Sequence, residues 1–283
     1  MKALLIIFLA CAIFGAAGFF TYELFVRPQR ELAEEKAAPA TPAPPDSTLP
    51  QFNKCVALKE KGKLIEARKA FEDFLDHHPE SSKAEDARDL LGEINTTIFL
   101  TPIPAPEKQL YVVRSGDVLN RVANKTKTTP ELIMKGNNLT GTMLKIDQKL
   151  YTSPSNFSLV ISRKRSKVIL SNNGKFFKQY PILEVPPALQ AKPKKAAPGK
   201  QTGKVTEKMA WHNGSRVIFS DPGYSEATHW ININIAHCTL YGALPEGIDP
   251  KTASKPPSGI AIAPTAAVEL ATMLSRGTPV TLE

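Results

Sequence analysis

Cysteine is scarce: Cys11, Cys55 and Cys238 are three in 283 residues, too few and too scattered for a disulfide framework. A small disulfide-stapled scaffold is excluded, although cysteine number alone does not decide the compartment. Paired metal ligands are lacking too. His77 and His78 adjoin Pro79 at a helix end with no second ligand pair at metal spacing, so they read as solvated residues or favourable C-terminal charges. Neither a metal nor a cofactor is expected. The chain carries a basic excess of nine charges. No nucleic-acid motif accompanies it, so no nucleic-acid partner is expected; by charge alone it would suit any anionic polymer or lipid head group.

Long apolar runs are confined to the N-terminus. Met1-Lys2 precedes ALLIIFLACAIFGAAGFF, an uncharged stretch of about eighteen residues, the lower limit for a membrane-spanning helix. Ala16-Ala17-Gly18 would also suit cleavage of a secretory signal, but apolar character continues through Phe25 and Val26 and favours a retained anchor. What the chain has in quantity is proline, 24 residues, clustered in RPQRELAEEKAAPATPAPPDSTLP and TPIPAPEK. These read as semi-rigid connectors and divide the chain. The expected order is a membrane anchor or signal (1–26), a Pro-rich linker (27–50), a helical segment (51–97), a linker (98–109), a small module (110–154) and a β-dominated domain (156–283).

The helical segment shows Val56, Leu58, Leu64, Ala67, Ala70, Phe71, Phe74 and Leu75 at spacings of three and four. Gly62 separates a first helix from a second, Pro79 ends the second, and Ala84 to Ile94 give a third. GKLIEARKAFEDFLDHHPESSKAEDARDLLGEI resembles a tetratricopeptide-type repeat. Little more than one repeat is present, and such units need neighbours to complete a core, which implies a protein-interaction spacer or a plain stalk.

In the module, Leu110 to Val113 form a β-rich run that turns at Ser115-Gly116-Asp117. Val118, Leu119, Val122 and Ala123 recur at helical spacing. Thr129-Pro130-Glu131 starts a second helix, with Thr as N-cap and Pro at its first position and Leu132, Ile133 and Met134 as its buried side. Gly136-Asn137-Asn138-Leu139 leaves it, and Leu144 to Leu150 return as a strand, giving β-α-α-β. The tyrosine-valine start, the SGD turn, the paired Asn before Leu and the closing K-I-x-Q-K-L resemble the LysM domain over the whole module. The resemblance implies binding of N-acetylglucosamine-containing glycans such as peptidoglycan in a shallow groove at Gly116, Asp117, Val118, Asn137, Asn138 and Leu139. Read from the residues alone, Asn137 and Asn138 serve equally well as a helix cap and a loop turn.

Beyond the module, strands are expected at Leu159–Ser162, Lys167–Leu170, Phe176–Leu183, Lys204–Ala210, Arg216–Ser220, Trp230–His237 and Thr278–Leu282. Asn173-Gly174 marks a hairpin, Pro264–Arg276 a helix and Pro186–Lys200 a mobile loop. Trp211 and Trp230 suit sugar stacking or an amphipathic core. The runs V-I-S-R-x-R-S-K-V-I-L-S-N-N-G-K-F-F-K-Q-Y-P, W-I-N-I-N-I-A-H and P-T-A-A-V-E-L-A-T-M-L-S-R-G-T-P-V-T-L resemble the L,D-transpeptidase (YkuD-type) domain over nearly all of 157–283. That family implies a cysteine acyltransferase acting on peptidoglycan stem peptides, with an HG followed by S-x-G-C-x-R.

The match departs at the chemistry. His237 fits the first histidine, but Cys238 replaces the following Gly; Gly259 fits, yet Ser258 stands where a histidine often does, Ile260 at the nucleophile and Ile262 at the arginine. An isoleucine can neither attack nor be activated. Cys238 is the alternative nucleophile. If it and His237 share the expected strand, their side chains point to opposite faces and the histidine cannot activate it, though a local turn would relax this. His212 and His229 are more distant candidate bases. Ser258 lacks a strand-turn-helix elbow.

The fold expected is therefore multidomain: a membrane helix, an α-helical hairpin segment, a small α+β LysM module and a mostly-β L,D-transpeptidase-like domain. The resemblances imply a peptidoglycan-binding cell-wall protein, catalytically degenerate at Ile260 and Ile262, or alternatively an active transpeptidase working through Cys238. Its partners would be peptidoglycan, the membrane and a protein held by the helical segment, with a single-pass anchor and the bulk of the chain extracytoplasmic.

Overall fold

The computed structural model of the chain describes residues 46–190, 200–243 and 258–283. The N-terminal apolar run with Cys11, the linker up to residue 45 and residues 191–199 of the loop expected after Pro186 lie outside the described residues. Among the described residues no helix is long and apolar enough to cross a membrane.

Three helices come first: α1 (Leu49–Glu60), α2 (Leu64–His77) and α3 (Ala84–Leu100). Gly62, at φ +71°, turns the chain between α1 and α2 in a conformation that a Cβ disfavours. On α2, Ala67, Phe71 and Phe74 fall at i, i+4 and i+7 and are fully buried. They meet Phe52 and Cys55 of α1 and Ala87, Leu91, Ile94 and Ile98 of α3 in one core. The three helices read from the spacing are present, and the third completes the core of the helical hairpin segment. Its last helix also runs through the stretch read as the start of a linker, because Thr96 and Thr97 turn their hydroxyls back onto the Gly92 and Glu93 carbonyls (2.7 and 2.8 Å) and Ile98 and Phe99 are buried.

The module consists of β1 (Gln109–Val112), α4 (Leu119–Lys125), α5 (Pro130–Gly136) and β2 (Lys149–Thr152), with β1 and β2 antiparallel and Leu110 opposite Tyr151. Thr129 caps α5 as expected, its hydroxyl accepting from the Leu132 N–H at 3.0 Å. The returning strand begins later than expected, at Lys149. Asp147 takes a left-handed φ of 65°, and its N–H donates to the Val113 carbonyl at 2.9 Å, so Leu144–Gln148 form a turn. Val118 is 55 % exposed rather than buried with Leu119 and Val122.

The rest is a barrel of β3 (Phe157–Ser162), β4 (Lys167–Asn172), β5 (Lys175–Glu184), β6 (Gln201–His212), β8 (Thr228–Ile233), β9 (Leu240–Gly242), β10 (Ile260–Ile262) and β11 (Pro279–Leu282), with β7 (Ser215–Val217) appended to β6. The order β11-β3-β4-β5-β10-β9-β8-β6 closes because β6 pairs with β11. Closure removes the open edges of a sheet. The Asn173-Gly174 turn has both residues at positive φ, as a two-residue hairpin of primed type requires; Asn213-Gly214 does the same between β6 and β7. Helix α7 (Pro264–Met273) inserts Ala267, Leu270 and Met273 into the barrel core and is shorter than expected. The segment after Pro186 starts as a helical turn, α6 (Pro187–Gln190), held by buried Leu189, whose carbonyl accepts from Arg163 at 3.2 Å.

All three cores belong to one compact unit, residues 48–283. Asn95 of α3 donates to the Phe177 carbonyl of β5 at 2.8 Å in a buried position. Gly92 lies so near Lys178 that a Cβ would come within 3.2 Å of its Cα. Phe99 packs edge-on against Phe177 (centroids 4.8 Å) and joins the barrel core. The helical layer is therefore packed on the barrel and is not a free stalk. On α5, Ile133 fills the module's own core while its neighbour Leu132 enters the barrel's, so one helix serves two cores.

Candidate functional site

The first candidate site lies in the module. The Asp117 carboxylate accepts from the Tyr111 hydroxyl (2.7 Å), the Arg114 N–H (2.9 Å) and Lys125 (2.9 Å), and only 3 % of its side chain is exposed. Those donors, Tyr111 first, hold its pKa far below the usual carboxylate range. Asp117 thus shapes the turn rather than reaching outward. Asn137 is similarly committed: its amide donates to the Ile133 carbonyl (2.8 Å) and the Tyr151 carbonyl (2.7 Å) and accepts from the Tyr151 N–H (2.7 Å). It clasps the end of α5 to β2, the cap-and-turn role that the residues alone allowed. Leu139 packs against the module core.

Gly116 (φ +78°), Val118 and Asn138 (φ 52°) remain exposed; the Gly116 carbonyl accepts from Arg121 at 2.6 Å, while Val118 offers an apolar side chain and Asn138 an amide. Met143 (90 % exposed) and Ile146 (64 %) extend the apolar surface in the loop before β2. Sequence reasoning missed both by placing that loop in or beside the strand. Such a mixture of apolar contact and amide hydrogen-bonding groups suits a sugar.

The second candidate site lies where β8, β9 and β10 meet. The strand expected through His237 stops at Ile233. The Asn234 side chain instead accepts from the Lys204 N–H at 2.6 Å, the chain turns, and His237 takes a left-handed φ of 60°. This turn separates the two neighbours completely. His237 is exposed, its Nδ1 3.0 Å from the Ser258 hydroxyl; Cys238 is 1 % exposed, packed with Leu240, Ile260 and Ile262 in the barrel core. Burial pushes the Cys238 thiol up to about 12, against a smaller opposing effect of Arg163. A thiol there stays protonated and out of reach.

Ile260 and Ile262 are fully buried on β10, parallel to β9 with Ile260 opposite Leu240. Gly259 is required by that approach, since a Cβ would meet the Thr239 carbonyl oxygen at 2.5 Å. His229, a candidate base, is 1 % exposed, with its Nδ1 2.8 Å from the Ala227 carbonyl oxygen and its ring edge-on to Tyr224. Burial pulls it down to about 4, so it is a neutral core histidine. His212 lies at the end of β6, its Nε2 3.1 Å from the Asn213 amide.

The barrel thus brings together His237 and Ser258, two positions of the motif to which the family resemblance pointed. A hydroxyl in hydrogen-bond reach of an imidazole is one element of nucleophilic catalysis. Among the described residues no carboxylate hydrogen-bonds to the histidine to fix its tautomer. Trp211 and Trp230 pack against each other with their rings tilted (centroids 5.5 Å, 44°), both half-buried. No group of His, Cys, Asp or Glu that could hold a metal occurs among the described residues.

A βααβ module locked onto a closed barrel is the class of molecule these elements define. Residues 111–153 match the LysM domain family, and this segment is a LysM domain. No curated protein is similar to the chain in sequence. Solved structures similar to it include an L,D-transpeptidase from Mycobacterium smegmatis (16 % identity, 49 % of this chain and 64 % of that one, TM-score 0.30). Mycobacterium tuberculosis L,D-transpeptidase 1 (11 %, 48 % and 67 %, 0.29) and an L,D-transpeptidase from Stackebrandtia nassauensis (14 %, 45 % and 55 %, 0.29) are others. The chain spans between about half and two thirds of the length of those chains.

Proposed function

We propose that this is a cell-wall protein that binds peptidoglycan through its LysM domain and whose barrel does not perform acyl transfer at the position used by L,D-transpeptidases. The LysM match at 111–153 carries the reading, together with the exposed Val118 and Asn138 on that domain. The silent barrel is supported by Ile260 and Ile262 in place of a thiol and a cation, and by the burial of Cys238, which argues against the alternative of a transpeptidase working through that residue. The N-terminal apolar run supports a single-pass anchor, and the glycan-binding domain supports an extracytoplasmic placement of the rest of the chain.

Titration of the purified chain with N-acetylglucosamine oligomers, paired with intact-mass measurement after exposure to a carbapenem, tests both halves. Saturable glycan binding with unchanged mass is expected. An adduct on Cys238 would replace this account with that of a relocated active site, and a folded chain blind to the oligomers would remove its first half. Ile260→Cys alone should not create an acylable enzyme, because Ile262 and Ser258 also depart from the family pattern.

A further inference from the structure

The LysM domain is not a tethered module. Glu131 of α5 pairs with Lys208 of β6 at 2.8 Å, with 10 and 19 % of the two side chains exposed, and Lys208 also donates to the Ala271 carbonyl at 2.7 Å. The Thr129 hydroxyl donates to the Thr272 carbonyl, Leu132 enters the barrel core, and Phe219 from the loop after β7 packs against the LysM core. These contacts fix the loop that leaves α5 opposite the barrel's 219–224 loop, with a cleft of about 420 Å³ between them. Leu139, Thr140 and Lys135 form one wall; Phe219, Asp221 and Tyr224 form the other.

The lining is chemically suggestive. Leu139, Phe219 and Tyr224 give apolar and aromatic surface, and Thr140 and Tyr224 add hydroxyls. Lys135 lines the cleft as an exposed residue, with Glu269 acting on it electrostatically from beyond ion-pairing distance; the two carboxylates of the lining are already engaged, Glu131 by Lys208 and Asp221 by the Ile218 N–H at 2.9 Å. A volume in the range of small-ligand sites, continuous with the loop read as one side of the glycan groove, belongs to a ligand longer than the groove itself.

We propose that this cleft is a second subsite, built jointly by the LysM domain and the barrel, for the peptide branch of a glycan strand, with Lys135 receiving a peptide carboxylate and Phe219 and Tyr224 contacting the branch beside it. The proposal rests on the glycan-binding reading above and makes the barrel part of the recognition surface: discrimination between bare and peptide-bearing glycan would come from Lys135 and the 219–224 loop, not from the LysM groove.

The test compares two soluble ligands of equal sugar length, a peptide-free glycan oligomer and the same oligomer carrying its stem peptide, by calorimetry on the full chain. The peptide-bearing ligand should bind about tenfold more tightly, the size of one charge-assisted hydrogen bond. Lys135→Glu should abolish that advantage while leaving affinity for the bare oligomer unchanged, and Tyr224→Phe should reduce it in part. Equal affinity of the wild-type chain for both ligands, or a Lys135→Glu variant that keeps the advantage, would overturn the subsite. Failure to bind either ligand would instead count against the glycan-binding reading itself.

Discussion

Asn137 separates a structural from a ligand-contacting role most sharply. Its side chain makes three hydrogen bonds of 2.7–2.8 Å, two of them to both backbone groups of Tyr151. Asn137→Ala would remove all three and leave the N–H and carbonyl of Tyr151 in a half-buried position without their partner. At a net value near 1 kcal/mol for each bond, the loss is about 2–4 kcal/mol. Asn137→Asp should be no milder, because a carboxylate would face two carbonyl oxygens in place of a donor. Asn138→Gly is the counterpart: the glycine tolerates the φ of 52°, so removal of this exposed amide should leave stability nearly intact and weaken glycan binding. Urea unfolding followed by titration with N-acetylglucosamine oligomers checks both. An Asn137→Ala variant destabilised by less than about 0.5 kcal/mol yet unable to bind glycan would refute the assignment, since such a residue would have to contact the sugar.

Four further outcomes follow from the same geometry. Cys238 should resist alkylation in the folded chain and react at once on unfolding; because its folded pKa lies above the ordinary 9.0, its contribution is complete below pH 9 and is lost as pH rises towards about 12, an alkaline loss that Cys238→Ala should lack. Glu85, hydrogen-bonded by Lys167 and then by Gln179, has its pKa lowered to about 2, so its contribution is present above pH 4.5 and disappears as pH falls through about 2; Glu85→Gln should flatten that acid limb of a stability-versus-pH curve. Phe99→Ala should cost about 3–5 kcal/mol in urea unfolding, because the ring is 2 % exposed among Phe157 and Phe177 and bridges helix and barrel. Gly259→Ala, which forces a Cβ against the Thr239 carbonyl oxygen, should lower stability by about 1–3 kcal/mol by the same assay, a neutral result arguing that β9 and β10 are not as closely apposed as described.

The local elements were largely legible because their signals are local. Thr129-Pro130 announces the start of α5, Asn173-Gly174 a hairpin, and the spacing of Ala67, Phe71 and Phe74 a buried helical face. The docking was not legible, because it depends on contacts between distant residues. Nothing near Leu132 marks it as a barrel residue, and Asn95 reaches a carbonyl 82 residues away. The site failed for a related reason. A run of alternating apolar residues promised a strand through His237, but Asn234 captures the Lys204 N–H and ends it, which sends Cys238 inward and turns His237 towards Ser258. Asn213-Gly214 carries the same local hairpin signal between β6 and β7.

Co-sedimentation of the purified chain with isolated peptidoglycan sacculi tests the central claim most directly. The chain should pellet with the sacculi and be released by soluble N-acetylglucosamine oligomers. A folded chain that stays in the supernatant at every sacculus concentration would contradict the account.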